Sequence, residues 1–339
     1  MDVSASLAIA LLALIAILPE YAIEAVLAWK AGASFDIITR EVTPEMARVA
    51  ANVTGANRLL VGLGWSLVIL IYWFKARQPM DLRGHMRLEL VMLVIATLLS
   101  YLIFFTGQVH MLLAAVLIGI YLFYLWSSSR QESEEPDLVG VSVLIGSLPA
   151  LQRRLTVVSL FFYSAAVILI AAEPFVEALV ETGLELGIDE FILIQWIAPL
   201  ASESPEIIVA VLFSLRSNPI AGLSTLISSE VNQLTVLIGS MVVVFSLSAG
   251  EPLNFLLDSR QSVEFLLTSC VSLFAILLIA PRLISWRSGL ALLSLFIAHL
   301  FFVEEGARMI WAFAYLGLAL GLIAFDRQRV KKIFNTGTD

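Results

Sequence analysis

Charged residues are scarce in this sequence of 339 residues. Aspartate, glutamate, lysine and arginine together make up 14% of it, whereas 60% of the residues are hydrophobic. Soluble domains are about 25% charged and about 45–50% apolar. A chain with a mean hydropathy of +0.94 has too little polar surface to face water on all sides. The scarcity of charge therefore excludes an ordinary soluble fold and predicts an integral membrane protein in a lipid bilayer.

Cysteine and histidine are also sparse, and their positions exclude several kinds of site. The single cysteine, Cys270, lies in an apolar run, so the chain has no disulfide framework. His85, His110 and His299 are too far apart in sequence to form a spaced metal motif. The sequence contains no G-x-x-x-x-G-K-[ST] loop. If this protein transports a solute, an ATP site in this chain therefore does not drive the transport. We expect no cofactor and no nucleic-acid partner.

Long apolar runs predict an all-α fold with ten transmembrane helices. A hydrocarbon core about 30 Å thick needs about 20 apolar residues of helix. Runs of this kind, bounded by charged or turn-rich residues, cover approximately 4–29, 50–74, 87–106, 109–127, 155–172, 190–215, 219–248, 262–281, 287–303 and 307–325.

The basic residues predict the orientation of these spans. With ten spans, the loops after even-numbered spans carry 14 of the 20 lysines and arginines, and Arg58 lies inside a span. The opposite side carries the other five, which are Lys30, Arg40, Arg48, Arg260 and Arg308. The positive-inside rule then places both termini in the cytoplasm. We expect the plasma membrane as the location.

Polar stretches indicate how the chain is divided. Residues 30–50 are predicted to be a polar loop at the outer face, and residues 173–190 an acidic outer loop. The Ser- and Glu-rich residues 128–154 are predicted to be an acidic cytoplasmic linker. We therefore expect a first transmembrane half over 1–127, a second half over 155–325 and a basic cytoplasmic tail over 326–339.

Two segments of the sequence match each other without gaps. In the first span Pro19 precedes Glu20, and in the sixth span Pro205 precedes Glu206. The span after each of them carries the pattern [ST]-x-x-N-[RQ]-L-x-V-x-x-G. The chain therefore contains an internal repeat, with a first copy over about 4–74 and a second over about 190–248.

The repeat predicts a transporter, because its copies lie an odd number of spans apart. They begin at the first and the sixth span, which is an offset of five, so one copy enters the bilayer from the inside and the other from the outside. Inverted-topology repeats build secondary transporters, whose site lies near the bilayer midplane where the repeats meet. The pattern pairs Thr54 with Ser229 and Arg58 with Gln233.

A proline beside a glutamate inside a span offers hard oxygen ligands. Proline removes a backbone donor and opens the helix, so that a nearby carbonyl faces a cavity. Such oxygens suit Na⁺, Ca²⁺ or a proton. A charge at mid-membrane costs at least about 2.5–3.5 kcal/mol. Two such charges at matched positions of the repeats therefore indicate a functional role. We predict Glu20 and Glu206 as the central cation acceptors and metal ligands, with Glu24 as a solvated residue at the mouth.

These residues resemble the alpha-repeats of the sodium/calcium exchanger (cation/Ca²⁺ antiporter) superfamily. The family's first element reads roughly G-T-S-x-P-E, and Ala201-Ser202-Glu203-Ser204-Pro205-Glu206 is similar to it. The second reads roughly G-S-N-x-x-N, and Ser228-Ser229-Glu230-Val231-Asn232-Gln233 is similar to it. The resemblance covers roughly 110 residues. It implies that the ion is faced by Glu206, Ser202, Ser229 and Gln233, with Glu20, Thr54 and Arg58 opposite them.

The resemblance also implies a function. A secondary active cation antiporter would exchange Na⁺, H⁺ or Ca²⁺ by alternating access at a midplane carboxylate site. Its partners would be inorganic cations and the lipid bilayer. An intramembrane enzyme is not expected, because it needs a nucleophile–base pair or a metal cluster and the spans contain neither.

Arg58 allows more than one interpretation. It falls where the family carries an Asn or Asp ligand, and an arginine stays protonated at physiological pH. Our hypothesis is that it pairs with Glu20 or Glu206 and reduces the number of ions bound. Glu203 and Glu230 each remain a candidate ligand, proton carrier or charge partner of Arg58.

The first repeat is the weaker of the two. It has Ala16-Ile17 where the family has Thr-Ser. This departure, with Arg58, favours an alternative function. The chain would then be a non-transporting relative of the exchanger fold that acts as a membrane sensor or interaction partner.

Overall fold

The computed structural model describes residues 18–130 and 141–334, and within them ten helices match the ten predicted spans in order. Eight are long and apolar enough to cross a membrane. The helices are α1 (Leu18–Ser34), α2 (Pro44–Ala76), α3 (Arg87–Thr106), α4 (Met111–Ser128), α5 (Ala150–Leu186), α6 (Glu190–Leu215), α7 (Pro219–Ala249), α8 (Ser259–Ile279), α9 (Trp286–Leu300) and α10 (Glu305–Phe325). Short helices cover Val141–Gly146 and Gln328–Phe334. The predicted all-α membrane fold is confirmed.

The loop predicted over residues 30–50 is shorter in the structure. Helix α1 continues to Ser34 and α2 begins at Pro44. The Thr43 hydroxyl accepts a hydrogen bond from the Met46 N–H at 3.4 Å, and a proline at the first helical position is preorganised for a helix start. Polarity marks where a span leaves the membrane, whereas capping residues mark where a helix begins. Residues 4–17 of the first predicted span lie outside the described residues.

Residues 173–190 form a helix over most of their length, so the predicted acidic loop is wrong. Helix α5 runs from Ala150 to Leu186 and spans about 55 Å, well beyond a bilayer core of about 30 Å. Its C-terminal part is rich in leucine and glutamate, which favour helix. The predicted span ends where the apolar run ends, because it was defined by hydropathy, whereas the helix itself continues to Leu186.

The glutamates of this segment form a row along α5. Glu173, Glu177, Glu181 and Glu185 recur every four residues and so share one helix face. Lys30 of α1 forms ion pairs with Glu173 at 3.2 Å and with Glu177 at 2.9 Å. The two pairs connect the C-terminal parts of α1 and α5, across regions that the sequence placed in separate loops.

The two inverted repeats interlock. Helix α1 packs against α2 of its own repeat and also against the last part of α7. Helix α6 packs against α7 of its own repeat and also against α2. Each Pro-Glu helix therefore contacts the second helix of the other repeat. This exchange brings residues from both repeats into one central region of the bundle.

Both second helices change their hydrogen-bonding pattern at matched places. Helix α2 has a π-helical segment at Leu60–Trp65, and α7 has one at Gln233–Leu237. A π-helical turn shifts the backbone bonds from i−4 to i−5 and is frequent at functional sites. The segment in α2 begins two residues after Arg58, and the segment in α7 begins at the paired position Gln233. The repeat therefore extends from sequence to backbone geometry.

Two short antiparallel ribbons join the halves. Strand β1 (Met80–Asp81) pairs with β4 (Leu283–Ile284), and β2 (Gln108–Val109) pairs with β3 (Phe255–Leu256). The β1–β4 ribbon joins loops that follow even-numbered helices, and the β2–β3 ribbon joins loops that follow odd-numbered ones. Each ribbon thus connects loops of the same predicted side.

Charge in these loops is paired locally. Beside the β1–β4 ribbon, hydrogen bonds from Arg83 lower the pKa of Asp81 to about 2. That carboxylate therefore stays charged over the physiological range, on the side of the membrane that the sequence predicts to be cytoplasmic.

The packing of α2 on α6 predicts the effect of one substitution. Pro199 has no N–H to donate to the Gln195 carbonyl, and Gly55 lies against that oxygen; a Cβ on Gly55 would come within 1.8 Å of it. Gly55→Ala should lower the free energy of unfolding by about 1–3 kcal/mol because backbone must move. Thermal unfolding in detergent measures it.

Gly119 of α4 supplies the control. A Cβ there would meet no atom within 4 Å, so Gly119→Ala should keep or raise the unfolding temperature. Equal unfolding temperatures for the Gly55 and Gly119 variants would contradict the close approach of α2 and α6.

Candidate functional site

Four glutamates from both repeats lie together in the interior. Glu20 comes from α1, Glu203 and Glu206 from α6, and Glu230 from α7, and none is more than 5% exposed. Glu203 is within electrostatic range of the other three, and Glu20 is within range of Glu206. We call Glu20, Glu203, Glu206 and Glu230 the carboxylate cluster. These side chains come together because each Pro-Glu helix packs against the second helix of the other repeat.

Polar side chains of α7 complete this region. The Ser229 hydroxyl donates a hydrogen bond to the Glu206 carboxylate. Gln233 is buried, and its side-chain amide lies within hydrogen-bonding range of the Glu20 carboxylate, to which only its NH₂ group can donate. The Ser272 hydroxyl of α8 donates to Glu230 at 2.7 Å. The amide oxygen of Gln233 is therefore free to act as a further ligand.

The prolines of α6 add backbone oxygens. Pro205 lies inside the helix and cannot donate to the carbonyl four residues earlier, which belongs to Ala201. That carbonyl is next to Ser202, whose hydroxyl donates to the Pro199 carbonyl at 3.4 Å. Carboxylates, amide and hydroxyl oxygens and freed carbonyls are the ligand types that hard cations prefer.

Thr54 differs from its counterpart Ser229. Its hydroxyl donates to the Ala50 carbonyl of its own helix at 2.7 Å. The predicted ligand role of Thr54 stays a prediction, and in this conformation its hydroxyl is engaged with the backbone. The two repeats therefore contribute unequally to the region around the carboxylate cluster.

Arg58 pairs with Glu264 of α8, so the hypothesis of a pair with Glu20 or Glu206 is wrong in this conformation. Its Nη2 atom lies 2.5 Å from Oε2 of Glu264, and the side chains are 0% and 1% exposed. Arg308 of α10 places its Nε atom 3.4 Å from Oε1 of the same carboxylate. Helix α8 lies between α2 and α10, which is why Glu264 meets both guanidinium groups.

We call Arg58, Glu264 and Arg308 the arginine cluster. The face of Trp196 lies 5.1 Å from the Arg58 guanidinium carbon and 5.8 Å from that of Arg308, within the range of a cation–π interaction. Arg308 was expected on the outer side with the exposed bases, but it is 1% exposed. A buried glutamate attracts it inward, and the first turn of α10 allows it to reach that partner.

Glu24 is buried, which corrects the expectation of a solvated residue at the mouth. It is 2% exposed, and the Asn52 side-chain amide donates to its carboxylate at 2.8 Å. Asn232, in contrast, joins the two repeats, because it accepts a hydrogen bond from the Tyr21 hydroxyl at 2.6 Å. The helix–helix contact of α1 with α2 covers a position that hydropathy alone places near the aqueous end.

The carboxylate cluster is not a preformed site of carboxylates alone. Within residues 18–130 and 141–334, no group of three or more His, Cys, Asp or Glu side chains is arranged to hold a metal ion. Cation binding there would draw on the amide, hydroxyl and carbonyl oxygens as well. Several carboxylates buried together repel one another, so protons or cations must neutralise them.

One important charge, Glu264, was missed from sequence. Glu264 lies inside the predicted span 262–281, and an ionisable residue at that depth is itself a signal of function or of a buried partner. Arg58 also lies inside a span and requires such a partner. A search for unpaired charges among the spans would have matched the two.

The chain is similar to known proteins in sequence and in fold. The family described as sodium/calcium exchanger protein matches residues 3–130 and 156–303. The H⁺/Ca²⁺ exchanger CAX, known from a crystal structure, is 41% identical to this chain in sequence. The match covers 98% of this chain and 83% of the CAX chain, with a TM-score of 0.91. No curated protein matches the chain.

Two more distant structures share the fold. The sodium-calcium exchanger NCX_Mj soaked with 10 mM Na⁺ and zero Ca²⁺ is 15% identical, covers 86% of both chains and has a TM-score of 0.57. Native YfkE is 12% identical, covers 89% of both chains and has a TM-score of 0.57. At these identities the similarity shows the architecture alone.

The hydrogen bond from Ser229 predicts a binding effect. Ser229→Ala removes the donor that orients the Glu206 carboxylate, which should weaken cation binding by about 1.5 kcal/mol, or roughly tenfold in Kd. Isothermal titration of the purified protein with Ca²⁺ measures it. Ser240→Ala is the control, since that hydroxyl donates to Leu237 in its own helix. An equal Kd for Ser229→Ala and the wild type would contradict the assignment.

Proposed function

This secondary active cation antiporter belongs to the sodium/calcium exchanger protein family, and we propose that it exchanges Ca²⁺ for H⁺. The carboxylate cluster is the exchange site in this proposal. Glu20 and Glu206 are its central ligands, and Ser202, Glu203, Ser229, Glu230 and Gln233 contribute further oxygens or accept protons.

One observation carries the proposal. Glu20, Glu203, Glu206 and Glu230 are buried together at the meeting point of two inverted repeats, while the buried arginines Arg58 and Arg308 pair with Glu264. Carboxylates in such a place take up either protons or a divalent cation, because each neutralises the same negative charge. Competition for one set of oxygens is sufficient for antiport.

The choice of H⁺ and Ca²⁺ rests on sequence similarity. The solved exchanger that is 41% identical over 98% of this chain is named as an H⁺/Ca²⁺ exchanger. The sodium-calcium exchanger NCX_Mj is 15% identical, which supports the fold and carries no argument about the ion. The greater identity favours protons over Na⁺ as the counter-ion.

Alternating access would follow from the inverted repeats. A cation bound at their interface would be released to either side as the halves rock against each other. The antiporter is an integral membrane protein. We further propose that it lies in the plasma membrane with both termini in the cytoplasm, as the charge distribution indicates, and that residues 128–154 link the two transmembrane halves.

Ion flux into proteoliposomes tests the exchange directly. An outwardly directed proton gradient should drive Ca²⁺ uptake with simultaneous alkalinisation of the lumen, whereas a Na⁺ gradient alone should drive none. Glu206→Gln should reduce the uptake by at least about tenfold, because it removes a charge that the cation must meet. Uptake of ⁴⁵Ca²⁺ and a trapped pH dye measure the two ions together.

Glu185→Gln is the matched control, since Glu185 is an exposed glutamate on α5. It should transport like the wild type. Uptake driven by Na⁺ and indifferent to the pH gradient would reject H⁺/Ca²⁺ exchange. No flux from folded protein under either gradient would instead support the non-transporting sensor or interaction partner.

Binding should also depend on pH in one direction. Lowering the pH protonates the cluster and removes negative charge from the Ca²⁺ ligands, so the Kd for Ca²⁺ should rise. Equilibrium dialysis with ⁴⁵Ca²⁺ at several pH values measures it. A Kd that is constant from acidic to alkaline pH would show that protons and Ca²⁺ do not share the site.

A further inference from the structure

Positions 58 and 233 are equivalent in the two repeats but carry different chemistry. The shared pattern aligns Arg58 with Gln233. Arg58 lies two residues before the π-helical segment of α2, and Gln233 is the first residue of the π-helical segment of α7. Gln233 is buried and lies within hydrogen-bonding range of the Glu20 carboxylate. Arg58 instead turns towards α8. One repeat therefore offers a neutral ligand where the other holds a fixed positive charge.

The atoms around the Arg58 guanidinium are those that would coordinate a metal cation. Its Nε atom donates to the Thr54 carbonyl at 3.0 Å, and its Nη2 atom lies 2.5 Å from the Glu264 carboxylate. The same Thr54 carbonyl accepts the Thr268 hydroxyl at 3.4 Å. A carboxylate, a backbone carbonyl and a hydroxyl are hard oxygen ligands of the kind that bind Na⁺ and Ca²⁺.

Arg308 places a second guanidinium group beside the Glu264 carboxylate. Arg308 contacts Glu264 at 3.4 Å and donates to the Gln195 amide oxygen at 3.3 Å. Two positive charges therefore face one carboxylate, and the arginine cluster has a net charge of +1. An excess of buried positive charge repels any further cation from these oxygens.

We propose that the Arg58 guanidinium is a tethered cation that, with Arg308, permanently fills a second cation site built around Glu264. The antiporter then binds a single exchangeable divalent cation, at the carboxylate cluster. Arg58 thereby determines how many ions are carried, without touching the transported ion. This inference rests on the proposed function, since it concerns the stoichiometry of the same exchange.

Removing both guanidinium groups tests the proposal. In Arg58→Gln/Arg308→Gln, the Glu264 carboxylate and the Thr54 carbonyl lose their cationic partners, and we expect the variant to bind one additional Na⁺ per chain. Equilibrium dialysis with ²²Na⁺ at alkaline pH, where protons compete least, counts the bound ions. The wild type and the charge-conserving Arg58→Lys should bind no Na⁺ in this assay.

Two further measurements separate this role from that of a simple clamp between helices. Adding Glu264→Gln to the double variant should abolish the new Na⁺ binding, because the carboxylate is its main ligand. Ca²⁺ binding at the carboxylate cluster reports whether each variant is folded. A folded double variant that binds no Na⁺ would overturn the proposal and leave the arginine cluster a structural clamp.

The wild type provides a test that needs no variant. One Ca²⁺ bound per chain at saturation supports the tethered cation, whereas two or more would overturn it. This result is distinguishable from a failure of the proposed function. Absence of wild-type Ca²⁺ flux would reject H⁺/Ca²⁺ exchange, while the Na⁺ count in the double variant would still decide whether Arg58 and Arg308 fill a latent site.

Discussion

Negative charge that is buried at the depth of a bilayer must be neutralised, and the architecture of this protein is organised around that requirement. Among the buried glutamates of the described residues, Glu264 lies between two arginines, and four others form the carboxylate cluster: Glu20, Glu203, Glu206 and Glu230. Glu264 is paired with two arginines of the protein itself, whereas in our proposal the other four are neutralised by protons or cations from solution. A buried charge without a fixed partner is energetically costly in lipid, but a transporter can use it to bind ions. The division between the two clusters separates permanent structure from exchangeable ions.

The inverted repeats explain how charges from distant parts of the chain come together. Each repeat supplies a Pro-Glu helix and a following helix with a π-helical segment, and each Pro-Glu helix packs against the second helix of the other repeat. The symmetry is incomplete in chemistry, however. Ser229 donates to Glu206, whereas Thr54 donates to its own helix, and Gln233 is matched by an arginine. A symmetric backbone therefore carries asymmetric side-chain contacts, and in our proposal the second repeat provides most of the cation ligands.

Much of the fold could be predicted from the sequence because lipid imposes simple rules. Apolar length predicts the ten helices, and the distribution of lysine and arginine predicts which loops share a side. Glu20 and Glu206 could be singled out because a charge inside an apolar run is costly and these two occur at repeated positions. The C-terminal part of α5 could not be predicted in this way, since hydropathy detects apolar length and a glutamate-rich helix has no such signal.

The partners of the buried charges could not be predicted for a different reason. Arg58 was placed correctly inside a span, but its choice of Glu264 over Glu20 or Glu206 depends on which face of α2 packs against α8. Burial of Glu24 likewise depends on Asn52 of the neighbouring helix. Periodicity within one helix gives a face but not the identity of the helix opposite it. Such pairings require the three-dimensional arrangement.

The central claim is that protons and Ca²⁺ neutralise the same carboxylates in turn. The number of protons released when Ca²⁺ binds to the wild-type protein tests it most directly. Isothermal titration in buffers that differ in ionisation enthalpy gives this number at a fixed pH. Our account predicts that protons leave as Ca²⁺ enters, and that Glu206→Gln reduces their number. Binding of Ca²⁺ with no release of protons, over the pH range in which the protein is folded, would contradict the account.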